Sequence, residues 1–167
     1  MNRFAAALTA LTVLASCGGS SSENSGPTTG GSVTGGESAE AGDSWFVVEV
    51  VDGDTMWVQA DGADRVKVRT IGYDTPEQGE CGFDDATNYL TNLIEGKEVT
   101  LESGGASDVD KYGRLLRYVN VNGKDVGTTM IEAGLAIARY DGIDGYEEHP
   151  KQNEYRKLDT TVPNLCP

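Results

Sequence analysis

The chain has 167 residues, with 13 Lys and Arg against 27 Asp and Glu, a net charge of −14, one His and three Cys. A single His leaves no two-His metal motif and no two-His acid–base pair, and three Cys without a C-x-x-C spacing leave no zinc ribbon or iron–sulfur cluster, so any hydrolysis has to run on carboxylates and arginines. The length suits one domain of ordinary size, and the acidity opposes a generic nucleic-acid coat while leaving room for a local cationic site.

In chain order, Met1-Asn2-Arg3 is a short cationic start and Phe4 to Leu14 is an apolar run, too short to span a bilayer but right for a signal-peptide core. The following Leu14-Ala15-Ser16-Cys17 resembles the lipobox of bacterial lipoproteins. That resemblance implies a signal peptide over 1–16 and a mature N-terminus at Cys17 that carries lipid. Two or more acyl chains anchor durably, so the expected location is extracytoplasmic, lipid-anchored to a bacterial cell membrane or envelope. Residues 17–43 contain Gly-Gly-Ser-Ser-Ser, Gly-Pro-Thr-Thr-Gly-Gly and Thr-Gly-Gly, with Val33 the one sizeable hydrophobe. Such a composition predicts a disordered tether, on the order of 25–30 Å in mean reach. The folded domain is expected over 44–167, where 12 cations and 23 acids leave a net charge of −11.

Within that domain, Trp45 to Val51 is a β-branched and aromatic run ending at Asp52-Gly53, and Thr55 to Ala60 is a second ending at Asp61-Gly62, a strong hairpin signal. Arg65 to Ile71 alternates, with Val66, Val68 and Thr70 on one face and Arg65, Lys67 and Arg69 on the other, so a three-stranded meander is predicted. Phe83, Ala86, Tyr89, Leu90, Leu93 and Ile94 recur at helical spacing before Gly96. Two more strands are expected at Lys97 to Glu102 and Leu115 to Val121. The tight turn Asn122-Gly123 leads to a second helical stripe, Val126, Met130, Ile131 and Leu135, closed near Gly134. Five strands with a helix after the third is the element order of an OB-fold, so the expected class is α+β, mainly β: a five-stranded barrel with about three helices, whose face commonly binds nucleic acid or sugar.

Chemistry-bearing residues fall at the strand ends. Asp52-Gly53-Asp54-Thr55 closes the first strand and Asp74-Thr75-Pro76-Glu77 follows the third, and in a meander the two segments meet at one end of the sheet. Asp54, Asp74 and a main-chain carbonyl would form a hard-cation oxygen site of the kind Ca²⁺ tolerates. Taken singly, each segment is also ordinary turn chemistry. Arg69 and Arg114 add planar guanidinium forks that match the oxygens of a phosphodiester as it gains negative charge during hydrolysis. Glu77, beside a candidate metal ligand, is placed to take a proton from water. Each arginine alone could equally be a solvated strand residue or an ion-pair partner.

The segments V-D-G-D-T, V-R-T-I-G-Y-D-T-P-E and D-K-Y-G-R, in this order, resemble the staphylococcal nuclease (thermonuclease) family over essentially the whole folded domain. The resemblance implies that Asp54 and Asp74 bind Ca²⁺ by carboxylate and Thr75 by its carbonyl oxygen. It makes Glu77 the general base that activates water and Arg69 and Arg114 the groups that stabilise the transition state. Lys111 and Tyr112 would contact a neighbouring phosphate, and Tyr140 a nucleotide's sugar or base. The implied activity is cleavage of DNA and RNA with little sequence preference, leaving 3′-phosphates, by a monomer. Two departures stand out: the short loop Gln78 to Gly82, expected to open or reshape one wall of the cleft, and Gly142, where a second aromatic is expected two places after Tyr140. Two rival functions share the fold, a catalytically silent binding lipoprotein and a phosphodiesterase acting on small nucleotides.

Against the negative body, Arg65, Lys67, Arg69, Lys111 and Arg114 are expected to form a small positive focus, unless Arg65 and Lys67 simply pair with surface acids. Few neutralised phosphates would give a shallow salt dependence. With Cys17 acylated, Cys81 and Cys166 remain as an even pair in an exported chain, and a disulfide between them would be worth about 3–4 kcal/mol by loop entropy. Asp108-Val109-Asp110 hints at an EF-hand loop, but the twelfth position is Val119 rather than Glu, so a turn is expected. His149, amid Glu147, Glu148 and Pro150, is expected at the surface, and Trp45 and Trp57 in barrel packing or at its rim rather than as a dedicated base-stacking platform.

Overall fold

The computed structural model describes residues 44–166. The expected signal peptide (1–16), the lipidated Cys17 and the tether (17–43) lie outside the described residues. Strands β1 (Ser44–Val50), β2 (Thr55–Gln59) and β3 (Val66–Thr70) form the predicted antiparallel meander, with a bulge in β1 between Val47 and Glu49. After β4 (Tyr73–Asp74) comes helix α1 (Phe83–Ile94), followed by β5 (Glu98–Glu102) and β6 (Leu115–Val121). The sheet order β3-β2-β1-β5-β6 closes on itself through a parallel pairing of β3 with β6, Val68 opposite Leu115 and Thr70 opposite Arg117. That closure makes the expected OB-type barrel and removes its free edges. A hairpin through β7 (Lys124–Asp125) then leads to α2 (Val126–Glu132), β8 (Ile137–Ala138) and α3 (Gln152–Asp159).

The alternation in β2 and β3 sets what is inside. Met56, Val58 and Val68 are fully buried with Val47, Val99 and Val119, and α1 caps one barrel end with Ala86, Leu90 and Ile94 at four-residue spacing. The opposite faces of β2 and β3 carry Thr55, Trp57, Lys67 and Arg69 outward, and the register places Thr55 opposite Arg69 and Trp57 opposite Lys67. Helix α2 starts at Asp125, whose carboxylate caps Thr128 N at 2.7 Å. Helix α3 crosses α2 where Gly127 leaves no room for a side chain, since a Cβ there would lie 2.3 Å from Tyr155 Oη.

One expectation is overturned. His149 is buried, 7% exposed, not a surface residue. Its Nδ1 lies 2.6 Å from Tyr118 Oη, and its ring packs on Gly72 and on Tyr155 of α3. The polar neighbours Glu147 and Glu148 point sequence reasoning outward, yet the short segment before α3 dives under that helix. The Asp108–Asp110 segment is a turn, as expected: Asp110 accepts from the backbone N–H groups of Tyr112 and Arg114, both at 2.9 Å, and Asp108 pairs with Arg117 at 2.6 Å.

Candidate active site

Gly53, between the two aspartates, is fixed by proximity: a Cβ there would lie 2.7 Å from Thr75 Oγ1 and 2.9 Å from Ala86 Cβ. Its bareness lets the β1–β2 turn press against the segment after β4 and brings Asp54 to Thr75. Asp54 is buried, and its two carboxylate oxygens accept from Thr55 Oγ1 and Thr75 Oγ1, each at 3.0 Å. The main chain is tied down as well, because Thr70 donates to the Asp54 carbonyl through its N–H at 2.9 Å and its hydroxyl at 3.0 Å.

Arg69 leaves the outer face of β3 and ends between two carboxylates. Its Nε is 3.1 Å from Asp54 Oδ1 and its Nη2 3.0 Å from Asp74 Oδ1, while Nη1 donates to the carbonyls of Thr70 and Tyr73 at 2.9 and 3.2 Å. Tyr140 covers it, with the guanidinium 5.7 Å from the ring centroid. Tyr140 holds a left-handed backbone, φ 63°, stabilised by its N–H donating to Asp144 Oδ2 at 2.8 Å. Arg114 approaches from the other side. Its Nε pairs with Asp110 Oδ2 at 2.6 Å, and its Nη1 reaches Thr55 Oγ1 at 3.5 Å, the hydroxyl that also bonds Asp54. Lys111 and Tyr112 sit on the same turn as Arg114, with the Arg114 guanidinium 5.5 Å and Lys111 Nζ 5.0 Å from the exposed Tyr112 ring.

A cleft of about 330 Å³ opens beside Asp74 and Thr75 and is lined further by Glu77, Ala136, Tyr140 and the C-terminal tail Asn164, Leu165 and Cys166. Glu77 is exposed in this cleft, and its loop is braced by Glu77 N donating to Glu80 Oε2 at 2.8 Å. The structure therefore gathers Asp54, Asp74, Thr75, Arg69, Arg114 and Tyr140 into one constellation with Glu77 along its open side. Lys111 and Tyr112 join it only through Arg114. At the short loop the C-terminal tail lies along the wall of the cleft. Cys81 and Cys166 form the anticipated disulfide, Cα–Cα 5.8 Å across 85 residues, and Leu165 N donates to the Gly134 carbonyl at 2.9 Å, so the tail itself builds that wall.

Burial pushes the Asp54 carboxyl up to about 6, with repulsion from Asp52 adding to it, even though Arg69 and the Thr55 and Thr75 hydroxyls pull the other way. Burial also disfavours the charge on Arg69, but Asp54 and Asp74 outweigh it and hold the guanidinium firmly protonated. The buried carboxylate is thus short of positive charge. Asp54 and Asp74, which converge on the Arg69 guanidinium, together with the main-chain carbonyl of Thr75 next in sequence, make up a hard-oxygen donor set of the kind that fits Ca²⁺. Among the described residues no three Asp, Glu, His or Cys side chains gather as metal ligands, so such an ion would draw the rest of its shell from main-chain and solvent oxygens.

The profile described as "Staphylococcal nuclease homologue" matches residues 67–161. The chain belongs to the staphylococcal nuclease family. It is 33% identical over 123 residues to the Thermonuclease of Staphylococcus intermedius, covering 70% of this chain and 67% of that protein. To Endonuclease YncB of Bacillus subtilis it is 35% identical over 115 residues, covering 65% of this chain and 52% of the relative. To the SPbeta prophage-derived endonuclease YokF of the same organism it is 36% identical over 116 residues, 65% of this chain and 37% of the relative. The chain thus spans about half of YncB and just over a third of YokF. Membership places it among nuclease hydrolases. The matched span holds Arg69, Asp74, Thr75, Glu77, Lys111, Tyr112, Arg114 and Tyr140, while Asp54 precedes it and is joined to the staphylococcal nuclease site by the contacts with Arg69 and Thr75.

Sequence reasoning missed five residues. Thr55, quoted only as part of a motif, links Asp54 to Arg114. Asp110 aims Arg114 from within the rejected EF-hand stretch. The tail residues Asn164 and Leu165 carried no motif. Tyr146 packs edge-on against Tyr140 with centroids 5.3 Å apart and remains 59% exposed. It supplies a second aromatic beside Tyr140 despite Gly142, and no local spacing signals this, because the turn Gly142–Asp144 folds it back.

Proposed function

We propose that this domain is a Ca²⁺-dependent nuclease that hydrolyses phosphodiester bonds of DNA and RNA with little sequence specificity, leaving 3′-phosphates. It works as a monomer outside the cytoplasm, tethered to a bacterial cell membrane or envelope through lipid on Cys17. The observation that carries the reading is the single guanidinium of Arg69 spanning Asp54 and Asp74 while Arg114 reaches the same carboxylate through Thr55. Ion pairs built only for stability have no need of a second arginine reaching toward the same carboxylate, whose partner Asp74 lines a cleft with Glu77 and Tyr140.

Each residue then has a task set by its chemistry. Asp54, Asp74 and the Thr75 carbonyl hold Ca²⁺, which when bound supplies positive charge beside the phosphate. Arg69 and Arg114 present forked donors to the non-bridging oxygens, whose charge rises as hydrolysis proceeds. Asp110 locks the direction of Arg114, so little reorganisation is needed during reaction. Glu77, exposed at the cleft edge, accepts the proton of the attacking water. Tyr140 orients the sugar or base, and Lys111 with Tyr112 meets an adjacent phosphate.

The test is cleavage of single-stranded DNA, duplex DNA and RNA by the mature protein with Ca²⁺ and then with EGTA. Cleavage abolished by EGTA and restored by added Ca²⁺ is expected. Unchanged cleavage in EGTA removes calcium from the account, and no cleavage of any of the three under either condition removes the nuclease.

A further inference from the structure

The outer face of β2 and β3 does not end at the catalytic constellation. Thr55 pairs with Arg69 at the active end, and two residues along the same face Trp57 pairs with Lys67. Two residues of strand are about 6.6 Å, and the four that separate Arg69 from Arg65 are about 13 Å. Trp57 is half-buried. Two cations surround it. The Arg65 guanidinium lies 4.4 Å from the ring centroid and Lys67 Nζ 5.7 Å. Arg65 is steadied by Glu49 at 3.3 Å, whereas Lys67 makes no ion pair with any of the described residues. In a domain of net charge −11, a lysine left unneutralised beside a half-buried tryptophan is charge complementarity waiting for an anion with an aromatic attached.

We infer that Trp57, Lys67 and Arg65 form an accessory nucleotide subsite that takes the substrate strand beyond the reacting phosphate, and that its ligand is a single-stranded nucleic acid. A base stacks on the indole or on the guanidinium plane above it, and Lys67 neutralises the flanking phosphate. The spacing suits this, since stacked nucleotides advance about 3.4 Å each along a strand, so one continuous strand of a few nucleotides joins the Arg69 site to Trp57. The preference for a single strand follows because bases paired inside a duplex have no free face to offer an indole. This subsite rests on the proposed nuclease reading for its direction and not for its existence, because strand binding is measurable without cleavage.

The decisive measurement is fluorescence anisotropy of a labelled 20-nucleotide oligo-dT binding to the mature protein in EGTA, where no cleavage is expected, for the parent, Trp57→Ala and Lys67→Glu. Trp57→Ala is expected to weaken binding about tenfold, in line with about 1–3 kcal/mol per stacked base. Lys67→Glu, whose site is off the core, is expected to weaken it several-fold and to flatten the salt slope by about one unit. In steady-state cleavage the same variants should raise KM for the 20-mer with kcat unchanged, and leave a dinucleotide substrate unaffected. Equal anisotropy curves for parent and Lys67→Glu overturn the subsite, as does a Trp57→Ala loss that is the same on a 20-base-pair duplex as on the single strand. A parent that binds the oligonucleotide through these residues but cleaves nothing overturns the proposed nuclease while leaving the subsite standing.

Discussion

A guanidinium pinned between Asp54 and Asp74 and covered by Tyr140 cannot swing away, so the positive charge it offers is already in place before a substrate arrives. Arg114 differs, since its only firm anchor is Asp110 and its far nitrogen touches Thr55 at 3.5 Å. Replacing Arg114 by Lys removes the fork and with it the simultaneous reach to Asp110 and a phosphate oxygen. Turnover is expected to fall by about two orders of magnitude, a scale set by the loss of one preorganised donor. A change in kcat below threefold would make Arg114 a structural ion pair. Glu77→Gln removes a proton acceptor without removing a cation, so kcat should fall by about 10²–10⁴ while KM stays within a few-fold, as steady-state kinetics with and without the change would register. Equal turnover would assign the proton to another group. The motif residues were legible in the sequence because their types are chemically unusual together: acids at two strand ends, one arginine on an alternating strand and a second in a D-K-Y-G-R turn. What was not legible is how they touch. Thr55 as the link between Asp54 and Arg114, and Gly53 as the contact that admits Thr75, are distances between segments that no linear spacing encodes.

Among the elements, the strands and α1 were readable because burial imposes a period on them: Ala86, Leu90 and Ile94 face the barrel, and Met56, Val58 and Val68 line it. Helix α3 was hard to read, because it buries only Tyr155 fully and Leu158 in part and is otherwise polar, too short an apolar stripe to mark it. Polar contacts help to hold it. Asp125 receives Thr128 N, Tyr155 Oη and Lys151 Nζ at 2.7, 2.7 and 2.6 Å. Burial pushes that carboxyl up, but the bonds from Lys151, Tyr155 and Thr128 outweigh it and hold it below the usual carboxylate range. Asp125→Ala should therefore cost about 2–4 kcal/mol, a lost cap together with a stranded tyrosine hydroxyl, measured by urea denaturation, and a loss under 1 kcal/mol would show that α3 docks by packing alone. His149 makes this clasp sensitive to pH. Burial holds its imidazole below the ordinary value, with Asp141 pulling it up and Arg156 pushing it down. The unfolded chain then takes a proton below about pH 6.5 that the native state refuses, so stability is lost as pH falls through that range. Asp54, raised to about 6, takes up a proton in the native state over part of the same range and acts the other way, but it does so equally in a His149→Gln variant. The parent should lose more Tm than that variant between pH 7.5 and 5.5, and parallel pH profiles would mean that His149 titrates as an ordinary surface group.

At the scale of the whole domain, one covalent link serves both stability and the shape of the cleft. The Cys81–Cys166 bridge ties the end of the chain to the loop that follows Glu77, closing 85 residues. By loop entropy it stabilises the native state by about 4.6 kcal/mol, which for a domain of this size corresponds to a Tm lower by about 15–20 °C in a Cys81→Ser/Cys166→Ser variant. The bridge also sets the position of Asn164 and Leu165, which form one wall of the cleft and otherwise rely on a single backbone hydrogen bond to Gly134. Asp54, Arg69, Asp74 and Arg114 are held by contacts that do not involve the tail, so loss of the bridge should leave their geometry intact at temperatures where the domain is folded. Substrate binding should suffer more than chemistry: KM is expected to rise several-fold with kcat within a factor of two, measured at 20 °C, well below either Tm. A collapse of kcat with unchanged KM would instead mean that the bridge positions Glu77 through the loop between residues 77 and 81. An unchanged Tm would mean that the tail stays docked without its covalent tie.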